Sequence, residues 1–475
     1  MTSPIAAGDD LLDASAGEQS NMVRTKAVSP VELMRRSLDR IAALQPTLNA
    51  FITVTGEAAL EEARLAEREI MAGRWRGALH GLPFAVKDLI ATKGVRTTMG
   101  SPLFADNVPT ADAVPVARLK AEGAILIGKT TTPAFGHKPL TDGLLFGRTL
   151  NPYDPKVTCG GSSGGSAVAL ASHQVSLALG TDGGGSNRIP AACCGVVGFK
   201  ATLGVIPHLD LPDLFAANSY IGPMARSVAD ARLLYDAIKG FDRRDPYGQG
   251  APPAPEEPRP IKGLRIGWLA TVGNREIDPE CLNAALAGVR ALAEEGAIVE
   301  PAEIDFVALE QSFLIILQSA LRTRLIDRLE SERALIDPSL LQTIEDGARW
   351  SAVDLQRAAR ERTVCFAKVQ ALLERHDVLV SPTLAAPPLP IGQDAHGHVT
   401  INGRAAGRLR AAWYPYTYPF NLTGHPALTV PRGLNSRGLP LSVQIVGRWY
   451  AEELLFRLGA AIVATAPGAP TYRGN

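Results

Sequence analysis

The sequence predicts an α/β protein with a largely buried sheet, on two observations, the alternation of patterns and the composition. Short apolar runs typical of strands alternate with longer amphipathic runs typical of helices along most of the 475 residues. Hydrophobic residues make up 46% of the chain and charged residues 20%, which is typical of a globular protein. Lys and Arg together number 48, as do Asp and Glu, and this balance argues against a general nucleic-acid or membrane-surface role.

The first half of the chain begins with residues 1–25, which are small and polar and are predicted to form a flexible N-terminus. Ser29 and Pro30 then indicate an N-cap followed by proline at the first helical position, and we expect this helix to end at Pro46. The further elements predicted here are a strand over 48–54, a helix over 57–71, a strand over 81–88, a helix over 112–122, a strand over 124–128 and loops over 130–151 and 207–223.

The second half begins with a helix over 227–238 and a Pro/Gly-rich stretch at 246–260 that indicates a linker or a long surface crossing. Segment 261–378 is predicted to form an accessory layer. The elements predicted from there on are strands at 264–268 and 297–299, a helix over 279–295, a long helical pattern to 375, strands at 377–380, 427–430 and 441–446, a loop-rich stretch at 383–412 and a closing helix over 451–464.

Other sequence features exclude several function classes. No apolar run approaches the roughly 18 residues that a membrane span needs, and the first residues lack the basic start and apolar core of a secretory signal. We therefore expect a cytoplasmic protein. The 5 cysteines lack the spacing of zinc ligands and are predicted to be reduced and buried. His396 and His398 have no third ligand close in sequence, so neither a metal site nor a cofactor is predicted.

Two glycine clusters that enclose serines stand out in the middle of the chain. The first, GGSSGGS, spans 160–166, and the second, GGGS, spans 183–186. Glycine lets the backbone approach a ligand closely, and consecutive N–H groups in such loops can converge on an anion. A serine that ends a run of three glycines therefore suggests a nucleophile beside an oxyanion hole. Apolar, patterned sequence flanks both clusters, which argues against a flexible linker.

A lysine stands at the end of the apolar strand GLPFAVKD, upstream of both clusters. Burying Lys87 there is costly unless the amine is neutral or paired. On this segment alone, a salt bridge between Lys87 and a nearby carboxylate is an alternative to a catalytic role.

Together these segments resemble the amidase signature family. The resemblance rests on FAVKD, GGSSGGSAVALAS and LGTDGGGSNRIPAACCGVVGFK, with NPYD, GPMARSVAD and FNLTGHPALTVP, and it extends from about Ser29 to Ala464. It implies a mixed central sheet covered by helices on both faces. It also implies one domain over 26–475, made of a core over 75–245 that carries the catalytic residues, the accessory layer over 261–378 and a C-terminal part over 379–475.

The resemblance implies a Ser–cis-Ser–Lys triad. Ser186 would be the nucleophile, Ser162 the bridging serine preceded by a cis peptide bond, and Lys87 the base. A lysine acts as a base only if burial and neighbours lower its pKa, and a hydroxyl can relay a proton because it both donates and accepts. The other site residues implied are the oxyanion-hole N–H groups of Gly183, Gly184, Gly185 and Ser186 and the supporting residues Asp182, Arg188 and Ser163.

Four positions depart from the commonest family pattern: Cys159, Gly183, Asn187 and Cys194. Gly183 keeps its N–H, so the implied oxyanion hole is retained. Asn187 stands where Ile is common and adds a polar group next to the nucleophile, which is expected to alter either substrate orientation or local support. None of the four removes a member of the triad.

The substrate pocket is expected to be apolar, because the loops at 135–146, 207–221 and 413–420 are rich in apolar and aromatic residues. No charged side chain in these loops is clearly placed to hold a substrate carboxylate. His137 is expected to be a surface or wall residue and His173 a helix-surface residue. For the aromatic run at 413–420, ordinary aromatic packing is as good an explanation as a role in the pocket wall. The predicted pocket residues are Phe135, Gly136, His137, Leu145, Phe146, Leu214, Phe215, Trp413 and Tyr416.

The expected function is hydrolysis of a small, hydrophobic or aromatic amide through a Ser186 acyl-enzyme, without nucleic-acid or membrane partners. Alternatives on the same triad are a carbamate (urethane), ester or cyclic oligoamide hydrolase, since the motifs resemble the branch that contains 6-aminohexanoate cyclic-dimer hydrolase and aryl-amide or carbamate hydrolases. The amidase subunit of a glutaminyl-tRNA amidotransferase is a further alternative that would need partner subunits. The intact triad argues against a catalytically dead binding protein. The resemblance is also compatible with a homodimer.

Overall fold

The computed structural model describes residues 10–216, 218–248 and 259–467. The strands in these ranges are β1 (Phe51–Val54), β2 (Pro83–Lys87), β3 (Ile125–Thr130), β4 (Asp142–Gly143), β5 (Gly147–Arg148), β6 (Leu177–Asp182), β7 (Val197–Lys200), β8 (Tyr220–Ala225), β9 (Arg265–Trp268), β10 (Ile298–Pro301), β11 (Val378–Pro382), β12 (His398–Ile401), β13 (Arg404–Arg408), β14 (Ala427–Leu434) and β15 (Pro440–Gly447).

Helices connect most of these strands. The α-helices are α1 (Asp10–Asp13), α2 (Ala16–Arg24), α3 (Pro30–Leu48), α4 (Gly56–Met71), α5 (Val114–Ala121), α6 (Gly164–Ala171), α7 (Arg188–Cys194), α8 (Val228–Ile238), α9 (Pro279–Glu294), α10 (Leu309–Leu325), α11 (Pro338–Asp346), α12 (Ala352–Arg375), α13 (Leu409–Trp413), α14 (Pro419–Thr423) and α15 (Glu452–Ala464). Short 3₁₀ turns lie at Pro102–Phe104, Ala134–Gly136, Ile326–Arg328, Arg333–Leu335 and Gly347–Arg349.

Eleven strands form one mixed sheet in the order β1-β3-β2-β6-β8-β7-β14-β15-β11-β9-β10. Strand β2 runs parallel to both of its neighbours, β3 and β6, whereas β8, β7, β14 and β15 pair antiparallel in turn. The hairpins β4–β5 and β12–β13 stand apart from it. The predicted α/β fold with a mixed central sheet is confirmed.

Hydrophobic clusters cover both faces of the sheet, because successive side chains of a strand point to opposite faces. In β2, Phe84 and Val86 belong to a cluster with residues of α5, α8, α9 and α15, whereas Ala85 belongs to one with residues of α3, α4, α6 and α12. Lys87 follows Ala85 by two positions, which directs its side chain toward the face that α6 covers. No α-helix among the described residues is long and apolar enough to cross a membrane.

The structure corrects the sequence-based picture at the N-terminal end. The predicted flexible N-terminus is wrong for residues 16–24, which form α2 with Ser15 and Glu18 in a capping box; residues 1–9 lie outside the described residues. Helix α3 does not end at Pro46 but continues to Leu48 and ends at Asn49, which has a left-handed conformation. His173 is buried beside Asp13 instead of lying on a helix surface, because the N-terminal segment covers it.

Elsewhere, most of the Pro/Gly-rich stretch at 246–260 lies outside the described residues. The five cysteines are free and buried, as the sequence predicts. The strands of segment 261–378, β9 and β10, join the main sheet at its edge beside β11.

Candidate active site

The two glycine clusters lie next to each other although a helix and a strand separate them in sequence. The first cluster leads into α6, and the second connects β6 to α7. The N–H of Ser163 donates to the carbonyl oxygen of Ser186 at 3.1 Å, which joins the clusters directly. The peptide bond between Gly161 and Ser162 is cis, as the family resemblance implies.

Lys87, the last residue of β2, lies fully buried beneath the clusters. Its Nζ lies 2.7 Å from Ser162 Oγ, 2.9 Å from Ser163 Oγ and 2.8 Å from Thr181 Oγ1. Burial lowers the pKa of Lys87 well below its ordinary value, against an opposing effect of the Asp182 carboxylate. The partners of the amine are these three hydroxyl groups and the Thr181 carbonyl oxygen at 3.4 Å, and a salt bridge within 4 Å is absent among the described residues.

Ser163 links Lys87 to Asn187. The Ser163 Oγ lies 3.1 Å from both Asn187 Oδ1 and the carbonyl oxygen of Thr181, and its single proton is donated to one of these two acceptors. The Asn187 side chain is fully buried, and its Nδ2 donates to the carbonyl oxygen of Phe199. Asn187 thus supports the site from inside the protein, and of the two roles expected from the sequence the geometry favours local support over substrate orientation.

Ser186 differs from the other two serines because it is partly exposed. Its hydroxyl makes no hydrogen bond with a described residue, so it is open to the solvent side of the site. The backbone N–H groups of Gly183, Gly184 and Ser186 likewise have no partner among the residues described. The N–H of Gly185 donates to Asp182 Oδ1 at 2.6 Å, and this bond removes Gly185 from the predicted set of oxyanion-hole donors.

An ion pair under the second cluster holds the loop in place. Arg188 Nε lies 2.9 Å from Asp182 Oδ2, and both side chains are fully buried. Burial alone would raise the pKa of Asp182, but the Arg188 guanidinium and the amide of Asn421 keep it below its ordinary value. Arg188 also donates to Gln444 Oε1 and Asn421 Oδ1, which anchors the loop to the C-terminal part of the sheet. These contacts fit the supporting role that is predicted for Asp182 and Arg188.

The loop over 134–138 passes directly over Ser162. A β-carbon at Gly136 would lie 2.9 Å from Ser162 Oγ, and the φ of Gly136 is +67°, so glycine is required on both counts. Phe135 is half-buried beside it. His137 is buried, with Nδ1 2.7 Å from the Ala134 carbonyl oxygen and Nε2 2.8 Å from Ser339 Oγ. Burial lowers the pKa of His137 to about 3, so the ring is a neutral wall group.

The other predicted pocket residues lie elsewhere. Trp413 and Tyr416 are fully buried in the core, where Trp413 Nε1 donates to the Ala386 carbonyl oxygen and Tyr416 Oη donates to the Ala270 carbonyl oxygen. Such aromatic side chains bury their rings and satisfy their polar ends on backbone carbonyls, so the ordinary-packing interpretation of the run at 413–420 is the one that fits. Phe215 is 77% exposed and is not part of an enclosed wall. The remaining three, Leu145, Phe146 and Leu214, are half-buried in surface loops.

Sequence reasoning missed three residues at the site. Thr181, a partner of Lys87, directly precedes Asp182 and was visible in the TDGGGS motif. Phe313 of α10 packs on the second cluster, since a β-carbon at Gly184 would lie 2.8 Å from its Cζ. Thr417 Oγ1 donates to the carbonyl oxygen of Gly184 at 2.9 Å. No local pattern marks the last two, because they come from distant segments.

Comparisons with known proteins agree with this geometry. The model of the family described as Amidase matches residues 32–456. The chain is 36% identical over 461 residues to an acylamidase of Rhodococcus erythropolis, with 96% of each chain covered. It is 32% identical to a glutamyl-tRNA(Gln) amidotransferase subunit of Thermosynechococcus vestitus, covering 93% of this chain and 96% of that protein. Among solved structures, a bacterial aryl acylamidase superposes with a TM-score of 0.90 at 30% identity, with 98% of each chain covered.

Proposed function

Because the chain belongs to the amidase signature family and is therefore an amide-hydrolysing enzyme, we propose that it cleaves the C–N bond of a small, hydrophobic or aromatic amide through a Ser186 acyl-enzyme. The observation that carries this mechanism is the buried Lys87 amine, 2.7 Å from Ser162 Oγ, in the cluster that a backbone hydrogen bond joins to the partly exposed Ser186.

The hydrogen bonds around the Lys87 amine support its role as the base. A neutral amine has two N–H donors and one lone pair. Ser163 directs its own proton to Asn187 or to the Thr181 carbonyl, so Ser163 Oγ accepts from Lys87. With the second N–H directed to Thr181 Oγ1, the lone pair is left for the Ser162 hydroxyl. This arrangement favours proton transfer from Ser162 to Lys87.

In the proposed reaction, Ser186 Oγ forms a bond with the substrate carbonyl carbon while its proton moves to Ser162, whose own proton moves to Lys87. The reverse relay protonates the amine nitrogen as the C–N bond breaks. Water then attacks the ester through the same relay and releases the acid. The scheme requires the Ser186 hydroxyl to reach Ser162 Oγ in the substrate complex; active-site hydrogen bonds often tighten only when substrate is bound.

The oxyanion that forms in the tetrahedral intermediate would be held by backbone N–H groups. Gly183, Gly184 and Ser186 supply three such groups without another partner in the described part of the chain. Each well-aimed donor of this kind contributes about 3–4 kcal/mol to stabilising the transition state.

One aromatic side chain supports an apolar substrate, since Phe313 packs against Gly184. The Phe135 ring instead packs against Phe104, with the Arg324 guanidinium over it. The acylamidase and aryl acylamidase relatives also agree with an acyl or aryl amide. Carbamates and esters are alternative substrates, because the same triad can attack their carbonyl carbons.

A second candidate is the glutaminase component of an amidotransferase, which the 32% identity to a glutamyl-tRNA(Gln) amidotransferase chain favours. The 36% identity to an acylamidase over 96% of the chain favours the stand-alone enzyme.

A matched substrate panel separates these functions. It contains an aryl amide, an aliphatic primary amide, an aryl carbamate, an ester and glutamine, each run with the wild type and with Ser186→Ala. We expect the aryl amide to be turned over fastest and all turnover to disappear in the variant. Turnover of glutamine alone would favour the amidotransferase function, and full activity of folded Ser186→Ala would overturn the mechanism.

A further inference from the structure

An open cavity of about 60 Å³ adjoins the candidate active site. It lies between the loop that follows Gly136, the helices α10 and α11, and the chain around the β12–β13 hairpin. Most of the side chains that line it are polar or charged. This character contrasts with the aromatic side chain of Phe313, which packs on Gly184.

Two contacts connect the cavity to the reacting groups. On the loop side, Gly136 touches Ser162, and the next residue, His137, lines the cavity. On the helix side, Phe313 packs on Gly184, and the Arg410 guanidinium lies 4.5 Å from the centre of the Phe313 ring. One residue on each side, Gly136 or Phe313, therefore separates the cavity wall from Ser162 or Gly184.

Three arginines line the cavity without a carboxylate partner: Arg349, Arg408 and Arg410. None of them has a carboxylate oxygen within 4 Å among the described residues. Arg410 is fixed by stacking on Phe313 and Tyr414, and its buried Nε has no hydrogen-bond partner in the described part of the chain. A buried guanidinium N–H without a partner is costly and is satisfied when a ligand accepts from it.

The two carboxylates of the cavity wall, by contrast, already accept hydrogen bonds. Glu310 Oε1 accepts from the N–H of Ala411, and Asp346 accepts from the side-chain amides of Gln318 and Gln342. The remaining cation, Lys138, is paired with Asp142 and Asp337. These hydrogen bonds leave both carboxylates charged, so the three arginines exceed them by one and the wall has a net positive charge.

We propose that this cavity binds a carboxylate of the substrate, so that the preferred substrates are amides that carry an anionic group remote from the scissile bond. Arg410 is the principal contact, since a guanidinium binds a carboxylate through two parallel hydrogen bonds. Arg349 and Arg408 add to the positive potential. The inference rests on the proposed amide hydrolysis, and it places the carboxylate contact outside the loops at 135–146, 207–221 and 413–420, in which no such charged side chain was expected.

Two pairs of anilides test this subsite. In the first pair, acyl chains of equal length end in a carboxylate or in a methyl group; in the second, the aniline ring carries a carboxylate or a methyl group. The measured quantity is the ratio of kcat/KM within each pair. We expect the wild type to prefer the carboxylate member of one pair at least tenfold, and the ratio to approach one in Arg410→Met. The pair that responds identifies which side of the amide faces the cavity.

Arg404→Met is the matched control, because Arg404 lies on β13, shortly before Arg410 in the chain, but is exposed and paired with Glu276. It should leave the ratio as in the wild type. The subsite is overturned if Arg410→Met and the wild type give equal ratios, or if the wild type prefers the methyl member of both pairs.

Binding to the Ser186→Ala variant separates this proposal from the hydrolysis itself. Calorimetric titration with the responding carboxylate anilide, or with both carboxylate anilides if neither is hydrolysed, should give a Kd at least tenfold weaker when Arg410→Met is added. If the wild type cleaves none of the four anilides but this Arg410-dependent binding persists, the proposed function fails and the subsite stands. Equal binding by both variants, or no binding, overturns the subsite.

Discussion

Lys87 and Lys129 lie on neighbouring parallel strands, and their surroundings differ in one decisive respect. Both side chains are fully buried, and burial lowers both pKa values, that of Lys129 to about 7. Lys129 Nζ donates to the Ile90 carbonyl oxygen and lies 2.7 Å from the buried Thr92 hydroxyl. Lys87 instead contacts Ser162. The N–H of the next residue, Ser163, donates to the carbonyl oxygen of the partly exposed Ser186, the proposed nucleophile. A lowered pKa is thus not sufficient to identify a catalytic base. What distinguishes Lys87 is that the hydroxyl it contacts belongs to the glycine-serine cluster, whereas the hydroxyl next to Lys129 belongs to Thr92.

The largest difference is expected between Lys87→Met and Lys129→Met. Removing a member of a catalytic triad costs on the order of 10⁴-fold or more in kcat/KM, so Lys87→Met should be nearly inactive. Lys129→Met should stay within about tenfold of the wild type, because Lys129 touches no reacting group. Steady-state kinetics on an aryl amide measures both, with circular dichroism to check folding. Equal losses in two folded variants would contradict the distinction.

The next largest difference is expected between the two serines of the first cluster. Ser162→Ala removes the relay, and positioned proton transfer contributes about 10²–10⁴-fold. Ser163→Ala removes only one acceptor for Lys87 and should reduce kcat by about tenfold, in line with the roughly 1–3 kcal/mol that an unsatisfied buried donor costs. A Ser163→Ala variant less active than Ser162→Ala would reverse the roles of the two hydroxyls.

The pH dependence of activity sharpens the comparison further. The active form of Lys87 is the neutral amine, so kcat/KM should fall about tenfold per pH unit as the pH drops below the lowered pKa of Lys87 in the folded enzyme. Lys129→Met should leave this acid limb in place, because Lys129 is not the titrating base. If the acid limb disappeared in Lys129→Met, the titrating group would be Lys129 and not Lys87, which would contradict the proposed scheme.

A smaller effect is expected at Asn187, which acts on Lys87 through Ser163. Asn187→Leu removes the Oδ1 that accepts from Ser163, so Ser163 is less firmly held as an acceptor for Lys87. We expect kcat to fall about fivefold, consistent with roughly 1 kcal/mol for a neutral hydrogen bond, and the acid limb to shift. Loss of thermal stability without any change in the pH profile would limit Asn187 to a packing role.

The smallest effect is expected on stability, to which Lys129 contributes independently of catalysis. Its pKa of about 7 in the folded protein is below the unfolded value near 10.4, so the unfolded chain binds one more proton between these values. The free energy of unfolding therefore rises with pH in this window, by up to about 1.4 kcal/mol per pH unit. Lys129→Met should make this slope shallower in urea titrations at pH 7.5 and 9.5; an unchanged slope would show that Lys129 does not titrate there.

The residues of the proposed catalytic site that the sequence could indicate are those that lie in local motifs. Lys87, Ser162 and Ser186 lie in short patterned segments, and the buried strand before Lys87 followed from an apolar run. Gly185 was misassigned because the motif does not show that Asp182 takes its N–H.

The substrate side was not predictable in the same way. Phe313 and Arg410 come from the segments at 309–325 and 409–413, which meet the glycine loop only after the chain folds. Trp413 and Tyr416 were assigned to the pocket because an aromatic run gives no sign of which face it buries. Neither the hydrophobic periodicity nor the motif spacing of a sequence reveals non-local packing of this kind.

Covalent labelling with a serine-directed fluorophosphonate tests the central claim most directly. Mass spectrometry of the labelled protein should locate one adduct on Ser186 in the wild type and in Lys129→Met. The adduct should form far more slowly in Lys87→Met, because no base then accepts the proton through Ser162. An adduct on Ser162 or Ser163, or equal labelling rates in Lys87→Met and Lys129→Met, would contradict the account.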